Sequence, residues 1–144
     1  MAEKGADLVT FHGYKTSAGN RDVQEWFKLL SESERDEAMD AIGYLQHEPI
    51  HLWVEPHFKK ICDDISEIRY KAGVEKITYR IYGSFWPEGS RFSYMFLLGR
   101  GKKVKKDQGS KKLAVDRLKN LRSGRATTHE FEFESGTDQT VTPK

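Results

Sequence analysis

The spacing of apolar positions changes several times along the chain, and each change predicts a new element. Apolar residues alternate in DLVTFHGY, residues 7–14, which predicts a short first strand. A helical spacing of i, i+3, i+4 and i+7 follows, with Asn20 as a candidate N-cap. It is formed by Val23, Trp26, Phe27 and Leu30. These positions predict one amphipathic helix that packs on the strand.

A second amphipathic helix is predicted directly after the first. Ser31 and Ser33 are candidate N-caps, and Glu34 and Asp36 stand three residues beyond them, at the spacing of a capping box. The apolar face continues through Ala38, Ile42 and Leu45. Two short helices in tandem predict a helical hairpin, and the acidic residues between positions 32 and 40 lie on its outer face.

Three strands in hairpin succession are predicted after the helices. In ISEIRYK, residues 65–71, alternation turns Arg69 and Lys71 to one face. In KITYRIYGSF, residues 76–85, it turns Lys76, Arg80 and Tyr82 to one face. RFSYMFLLG, residues 91–99, is apolar on both faces, which predicts a central strand that is covered on both sides.

A basic helix closes the predicted domain. It runs through KKLAVDRLKNLRSG, residues 111–124, with Ser110 as its candidate cap and Gly124 at its end. The order β-α-α-β-β-β-α predicts an α+β fold, a small and mostly antiparallel sheet with the helices on one face. We expect one domain over residues 1–124 and a flexible acidic tail over 125–144, in which HEFEFE leaves open a fifth strand or an acidic arm.

Charge is distributed unevenly along the 144 residues, although the formal net charge is only +2. Residues 1–55 hold 5 Lys and Arg against 11 Asp and Glu, whereas residues 56–125 hold 18 against 7. The stretch GRGKKVKKDQGSKK, residues 99–112, is the densest basic run. Such a segment predicts a polyanionic partner such as nucleic acid, and the alternative is a solvated lysine-rich surface.

Other classes of protein and site are disfavoured by the composition. Cys62 is the only cysteine, so a disulfide within the chain and a cysteine zinc site are excluded. We see no signal peptide and no apolar run long enough to span a membrane, which predicts a cytoplasmic protein. His47 and His51 have the spacing of a metal pair on a helix, but Pro49 between them breaks the helix. No metal site is therefore predicted.

The polar faces of the two predicted strands suggest the site. If the faces coincide, they form a basic patch with Tyr82 and Glu67 beside it. Its cations are Arg69, Lys71, Lys76 and Arg80. Cations neutralise phosphates and aromatic rings stack on unpaired bases, so the patch suits single-stranded nucleic acid. The alternative is that Arg69 and Arg80 only pair with Glu67 and Glu75 across the strands.

The ordered motifs over residues 52–122 resemble a known family. EIRYK contains Glu67 and Arg69, TYRIY contains Tyr79, Arg80 and Tyr82, and a lysine pair and an alanine-containing basic helix follow. Together they resemble the RelE/HigB-like toxins of type II toxin–antitoxin systems, in the RelE/ParE superfamily, and especially its phage-derived branch. The resemblance implies a cognate antitoxin as partner.

The resemblance also implies an endoribonuclease that cleaves messenger RNA on the ribosome without a metal or another cofactor. The 2′-OH would attack the adjacent phosphate, leaving a 2′,3′-cyclic phosphate. Arg80 and Arg69 would stabilise charge, Tyr82, Lys71 or Lys76 would carry protons, and Glu67 is a further candidate base. RNA would be held by Arg100, Lys102, Lys103, Lys105 and Lys106. We expect no histidine on this face, and hence little activity off the ribosome.

A second class of function remains open from the sequence. A protein of the same fold could bind nucleic acid or protein without cleaving it, for example as a topoisomerase-inhibiting toxin or as a phage adaptor. Cleavage products with cyclic phosphate ends distinguish the enzyme from this alternative.

Overall fold

The computed structural model describes residues 8–88, 91–101 and 108–133. The predicted RNA-binding residues Lys102, Lys103, Lys105 and Lys106 lie outside these ranges. The elements in chain order are β1 Thr10–Lys15, α1 Asp22–Lys28, α2 Glu32–Gln46, a 3-10 turn Ile50–Leu52, β2 Phe58–Lys60, β3 Ser66–Ala72, β4 Ile77–Glu88, β5 Arg91–Gly101, α3 Gln108–Arg122 and β6 Thr127–Glu130.

The strands of the described residues form one sheet in the order β2-β3-β4-β5-β1-β6. β1 runs parallel to β5, and the other neighbouring pairs are antiparallel. The parallel pair arises because α1 and α2 carry the chain from β1 across the sheet to its opposite edge. The predicted α+β class and mostly antiparallel sheet are confirmed.

Helices cover both faces of the sheet, so the prediction that they all pack on one face is wrong. α1 and α2 share one apolar cluster with Phe11, Tyr94 and Phe96. α3 shares a second cluster with Met95 and Leu97, which alternate with the first set along β5. Because β5 is apolar on both sides, each side needs a cover, and only helices on opposite faces provide both. We call these the first and second faces.

Among the predicted helix caps, the one at Ser31 is confirmed. Ser31 accepts a hydrogen bond from the backbone N–H of Glu34, whose side chain accepts one from the Ser31 N–H, which completes the predicted capping box. The predicted cap at Asn20 is wrong, since Arg21 holds that position and makes no side-chain cap. Ser110 is also not a cap, because α3 starts two residues earlier and buries Ser110.

The segment after α3 returns to the sheet. Thr127–Glu130 pairs with β1 as β6, so the strand alternative holds for this stretch. Phe131 and Phe133 then insert into the first core against Phe27 and Phe96. Residues 126–133 are therefore part of the folded sheet and core and not a flexible arm, which corrects that part of the predicted tail. The predicted domain boundary at residue 124 stays a prediction.

Candidate nucleic-acid interface

Three arginines stand in one row across three neighbouring strands. Arg69 on β3 is opposite Arg80 on β4, and Arg80 is opposite Arg100 on β5. Directly paired residues point to the same face, and alternation with Ile68, Tyr79 and Ile81 of the first core places the row on the second face. Like charges at paired positions destabilise a sheet, so this row has a cost that an anion would offset.

Glu67 lies beneath two of these arginines. Its carboxylate is 3.5 Å from the Nε of Arg69 and 3.5 Å from the Nε of Arg80. The Glu67 residue is 3 % exposed, and burial raises the pKa of its carboxyl against the opposing effect of the two guanidinium groups. Arg69 also contacts the exposed Glu55, at 3.8 Å. The alternative that the arginines pair with Glu67 and Glu75 is thus present for Glu67, which contacts both of them. The three guanidinium groups still outnumber this buried carboxylate.

The other predicted site residues occupy different surroundings. Tyr82 is opposite Glu67 in the register, but it is buried in the second core beside Leu98, because α3 covers that part of the face. Lys71 is exposed at the end of β3. The predicted strand position of Lys76 is wrong, since Lys76 ends the β3–β4 turn with a φ of 54°. It therefore does not share the face of Arg80 through strand alternation.

A groove of about 680 Å³ adjoins the row of arginines. One wall is the α2 side that carries Glu37, Asp40 and Tyr44, and the other includes Arg69 and Arg80. The full lining is Glu37, Asp40, Ala41, Tyr44, Pro56, His57, Arg69, Tyr70, Lys71, Thr78 and Arg80. The groove lies where the three-residue β2 ends and leaves the rest of β3 at the edge of the sheet.

Sequence reasoning missed the α2 wall and His57. Glu37, Asp40, Ala41 and Tyr44 have helical spacing and therefore share one side of α2, a signal that the sequence does contain. His57 could not be found in this way. It reaches the site because its carbonyl accepts a hydrogen bond of 2.8 Å from the Arg69 N–H, which extends the β2–β3 ladder by one residue. The expectation of a patch without a histidine is therefore wrong.

Aromatic rings form part of the groove. The rings of Tyr44 and His57 lie 5.3 Å apart between centroids, tilted by 54°. Tyr44 is 48 % exposed, so a large part of its ring is open to a ligand. A half-exposed ring beside cations is an arrangement that stacks on unpaired bases.

A polar connection fixes α2 against the sheet beside this groove. Tyr79 donates a 2.6 Å hydrogen bond to the carboxylate of Glu34, and its ring stacks on Tyr70 at 5.3 Å. The hydrogen bond from Tyr79 is the largest cause of the lowered pKa of Glu34. Burial, as the largest cause, and the hydrogen bond to Glu34, as the second, raise the pKa of Tyr79 to about 12. The position of the acidic wall therefore depends on β4 as well as on α2.

Two features are absent from the part of the chain that the structure describes. No group of three or more His, Cys, Asp or Glu side chains there is arranged to hold a metal ion. Among the same residues, no helix has both the length and the apolar character needed to cross a membrane.

Comparison with known proteins adds one match. A family model described as "Phage derived protein Gp49-like (DUF891)" matches residues 25–119. The matched range extends from α1 into α3 and contains the row of arginines and the groove. Neither the curated proteins nor the solved structures give a significant match to the chain.

Proposed function

The chain belongs to the phage-derived Gp49-like family, a toxin-type family of toxin–antitoxin systems, and from this we propose that it is a RelE/HigB-like toxin that cleaves messenger RNA on the ribosome. The reaction is a metal-independent transesterification, in which the ribose 2′-OH attacks the adjacent phosphodiester. The cognate antitoxin is the partner that this function requires, and the cytoplasm is where it would act.

One observation carries the proposal, namely the row of Arg69, Arg80 and Arg100 in direct register. A sheet that only needed to fold would place opposite charges at such positions. Three aligned guanidinium groups instead suit the regularly spaced phosphates of RNA, which they can hold through two oxygens at once. The basic run that continues from Arg100 in the sequence provides further cations for the backbone.

Each residue then has a role in a balanced reaction. A base removes the proton of the 2′-OH, the 2′-oxygen bonds to phosphorus, and the P–O5′ bond breaks as the 5′-oxygen takes a proton. Arg80 and Arg69 stabilise the charge that grows on the phosphate oxygens. Glu67 holds both guanidinium groups in place from below, at 3.5 Å each.

The proton carriers are drawn from the exposed rim of the site. Lys71 and His57 line the groove with Arg80, and an imidazole can accept and donate a proton near neutral pH. Lys76, in the turn, stays a candidate. Tyr82 and Glu67 also stay candidates, although both are buried. Their proton transfer would require the substrate to reach beneath the arginines.

The test is to induce the chain alone in a bacterium and to map the ends of its messenger RNA. We expect new internal ends with 2′,3′-cyclic phosphate, and the same products from purified ribosomes programmed with messenger RNA. Arg80→Ala is expected to bind RNA nearly as well as the unaltered chain. Its cleavage should be slower by about a hundredfold or more, as when a charge-stabilising donor is lost.

Two comparisons separate chemistry from binding. Arg125→Ala removes an exposed arginine that follows α3 in the chain, and this variant should cleave RNA normally. Lys105→Ala with Lys106→Ala should weaken binding and flatten its salt dependence, while the single-turnover rate of the bound complex is retained. Normal cleavage by Arg80→Ala once RNA is bound would show that the site is misplaced.

A binding module without catalysis is the second candidate. Tyr82 and Glu67 favour it, because they are only 4 % and 3 % exposed. A covered group cannot easily exchange protons with a substrate. In that case RNA binds the arginines with the same salt dependence, and no cyclic phosphate ends are formed.

A further inference from the structure

The groove beside the arginines has two walls of opposite charge. Arg69, Lys71 and Arg80 lie on the sheet wall, and Glu37 and Asp40 lie on the α2 wall. Arg69 contacts Glu67 and Glu55, and Arg80 contacts Glu67. A simple anion would suit only the sheet wall, and a simple cation only the helix wall. The groove therefore suits a ligand with a negative end and an end that donates hydrogen bonds.

A nucleotide has both ends, and the groove has the size for one. Its volume of about 680 Å³ is within the range of small-molecule sites. With a phosphate on Arg69 and Arg80, the base would extend towards Tyr44, whose ring is 48 % exposed and lies beside His57. Ala41, between Glu37 and Tyr44 on the same side of α2, also lines the groove.

The chemistry of the helix wall selects among bases. An ionised carboxylate only accepts hydrogen bonds, and its two oxygens suit two adjacent donors. Guanine has two adjacent donors, the ring N1–H and the N2 amino group. Adenine and cytosine place an acceptor beside their amino group, and uracil places an acceptor on each side of its N–H. A carboxylate beside an aromatic ring therefore favours guanine.

We propose that this groove is a guanine-selective base pocket, in which Glu37 or Asp40 accepts from the Watson–Crick edge and Tyr44 stacks on the ring. The proposal rests on the proposed function, because it takes RNA as the ligand of the arginines. It goes further by assigning sequence preference to α2, which carries no part of the cleavage chemistry.

The test uses RNA that cannot be cleaved, so that binding is measured apart from catalysis. The probes are four fluorescent trinucleotides with 2′-O-methyl riboses, with adenines at both ends and one of the four bases in the middle. Fluorescence anisotropy with the full chain should show that the guanine probe binds about tenfold more tightly than the others, or more, as expected for one bidentate contact. Tyr44→Ala should weaken all four probes by about tenfold through lost stacking.

Matched substitutions on α2 locate the preference. Glu37→Gln or Asp40→Asn should reduce the preference for guanine to about twofold or less, because an amide presents one acceptor and one donor. Glu32→Gln changes an exposed carboxylate of the same helix outside the groove and should keep the preference. Circular dichroism of each variant checks that α2 is retained.

The outcomes separate this inference from the proposed function. Guanine preference without any cleavage would overturn the endoribonuclease and support the pocket. Cleavage with equal binding of all four probes, or a preference that survives both Glu37→Gln and Asp40→Asn, would overturn the pocket alone. Failure of all four probes to bind would overturn it as well, and protection of Tyr44 by a protein partner would then identify the groove as a protein-docking surface.

Discussion

At the scale of single residues, Glu67 decides how the arginines are held. It is the carboxylate that contacts both Arg69 and Arg80, and it is nearly fully buried. Burial favours its neutral form, whereas the two guanidinium groups favour its charged form. The raised pKa shows that burial is the stronger effect. The negative charge that orients the arginines is thus present at a cost in folding stability.

This balance gives a pH dependence with a definite sign. The folded pKa of Glu67 lies above the ordinary value of 4.5, so its contribution to stability is largest below that pH and is lost as the pH rises through the folded pKa. Glu67→Gln has no such loss. The free energy of unfolding of the variant should therefore rise relative to the unaltered chain as the pH is raised from about 4 to 7, as measured by urea unfolding.

Glu55→Gln is the matched control for this measurement. Glu55 also contacts Arg69, but its side chain is 63 % exposed, whereas that of Glu67 is 4 % exposed. The difference in free energy of unfolding between Glu55→Gln and the unaltered chain should change little over the same pH range. The role of burial would be contradicted if the free energy of unfolding of Glu67→Gln, relative to the unaltered chain, stayed constant or fell as the pH is raised.

At the scale of elements, the segment after α3 completes the first core. Gln24 of α1 donates a 2.8 Å hydrogen bond to the carbonyl of Glu132 and accepts one of 2.9 Å from its N–H. Phe131 and Phe133 pack on Phe27 from the other side of this connection. The C-terminal segment therefore connects α1 to β1 and encloses the aromatic cluster between them.

Phe131→Ala tests whether the segment after α3 stabilises the first core. Phe131 is 1 % exposed, and removal of a buried phenyl ring leaves a cavity, so the free energy of unfolding should fall by about 3–5 kcal/mol. Glu130→Ala, at an exposed position of β6, should change it by less than about 0.5 kcal/mol. A Phe131→Ala effect below about 1 kcal/mol would contradict a structural role.

At the scale of the molecule, charge is divided between the acidic helical pair and the basic sheet with α3. Residues 1–55 carry more acidic than basic residues, and residues 56–125 carry the reverse. The groove lies at the boundary between these two parts, since its walls come from α2 and from β3 and β4. One partner can therefore be attracted to the sheet and rejected by the helices, which fixes the direction in which it binds.

The same division predicts how an antitoxin would act. We expect the chain alone to arrest bacterial growth, and the product of the neighbouring gene to restore growth by covering the basic face with acidic residues. Co-purification followed by a salt titration measures the complex, which should dissociate more readily at high salt. A harmless chain that binds no adjacent product would remove most of the support for a toxin.

Local pattern determined the elements. The helical spacing predicted α1 and α2, the period-two alternation predicted β3 to β5, and the capping box at Ser31 was confirmed. These predictions hold because caps and periodicity depend on residues within one or two turns. The short β2 was not predicted, since three residues that follow closely after Pro56 carry no useful period. It forms only because β3 offers an unpaired edge.

For the site, the sequence by itself determined that Glu67 and Arg69 lie on one face of their strand, and it left open whether Arg80 on the next strand shares that face. The structure decided this by placing Arg80 opposite Arg69. Only the tertiary structure decided that Arg100 continues the row, that α3 buries Tyr82, and that β3 brings His57 to the groove. The register between strands and the choice of face for a helix depend on which surfaces remain uncovered once the other elements have packed. That information is spread over the whole chain, and no local pattern contains it.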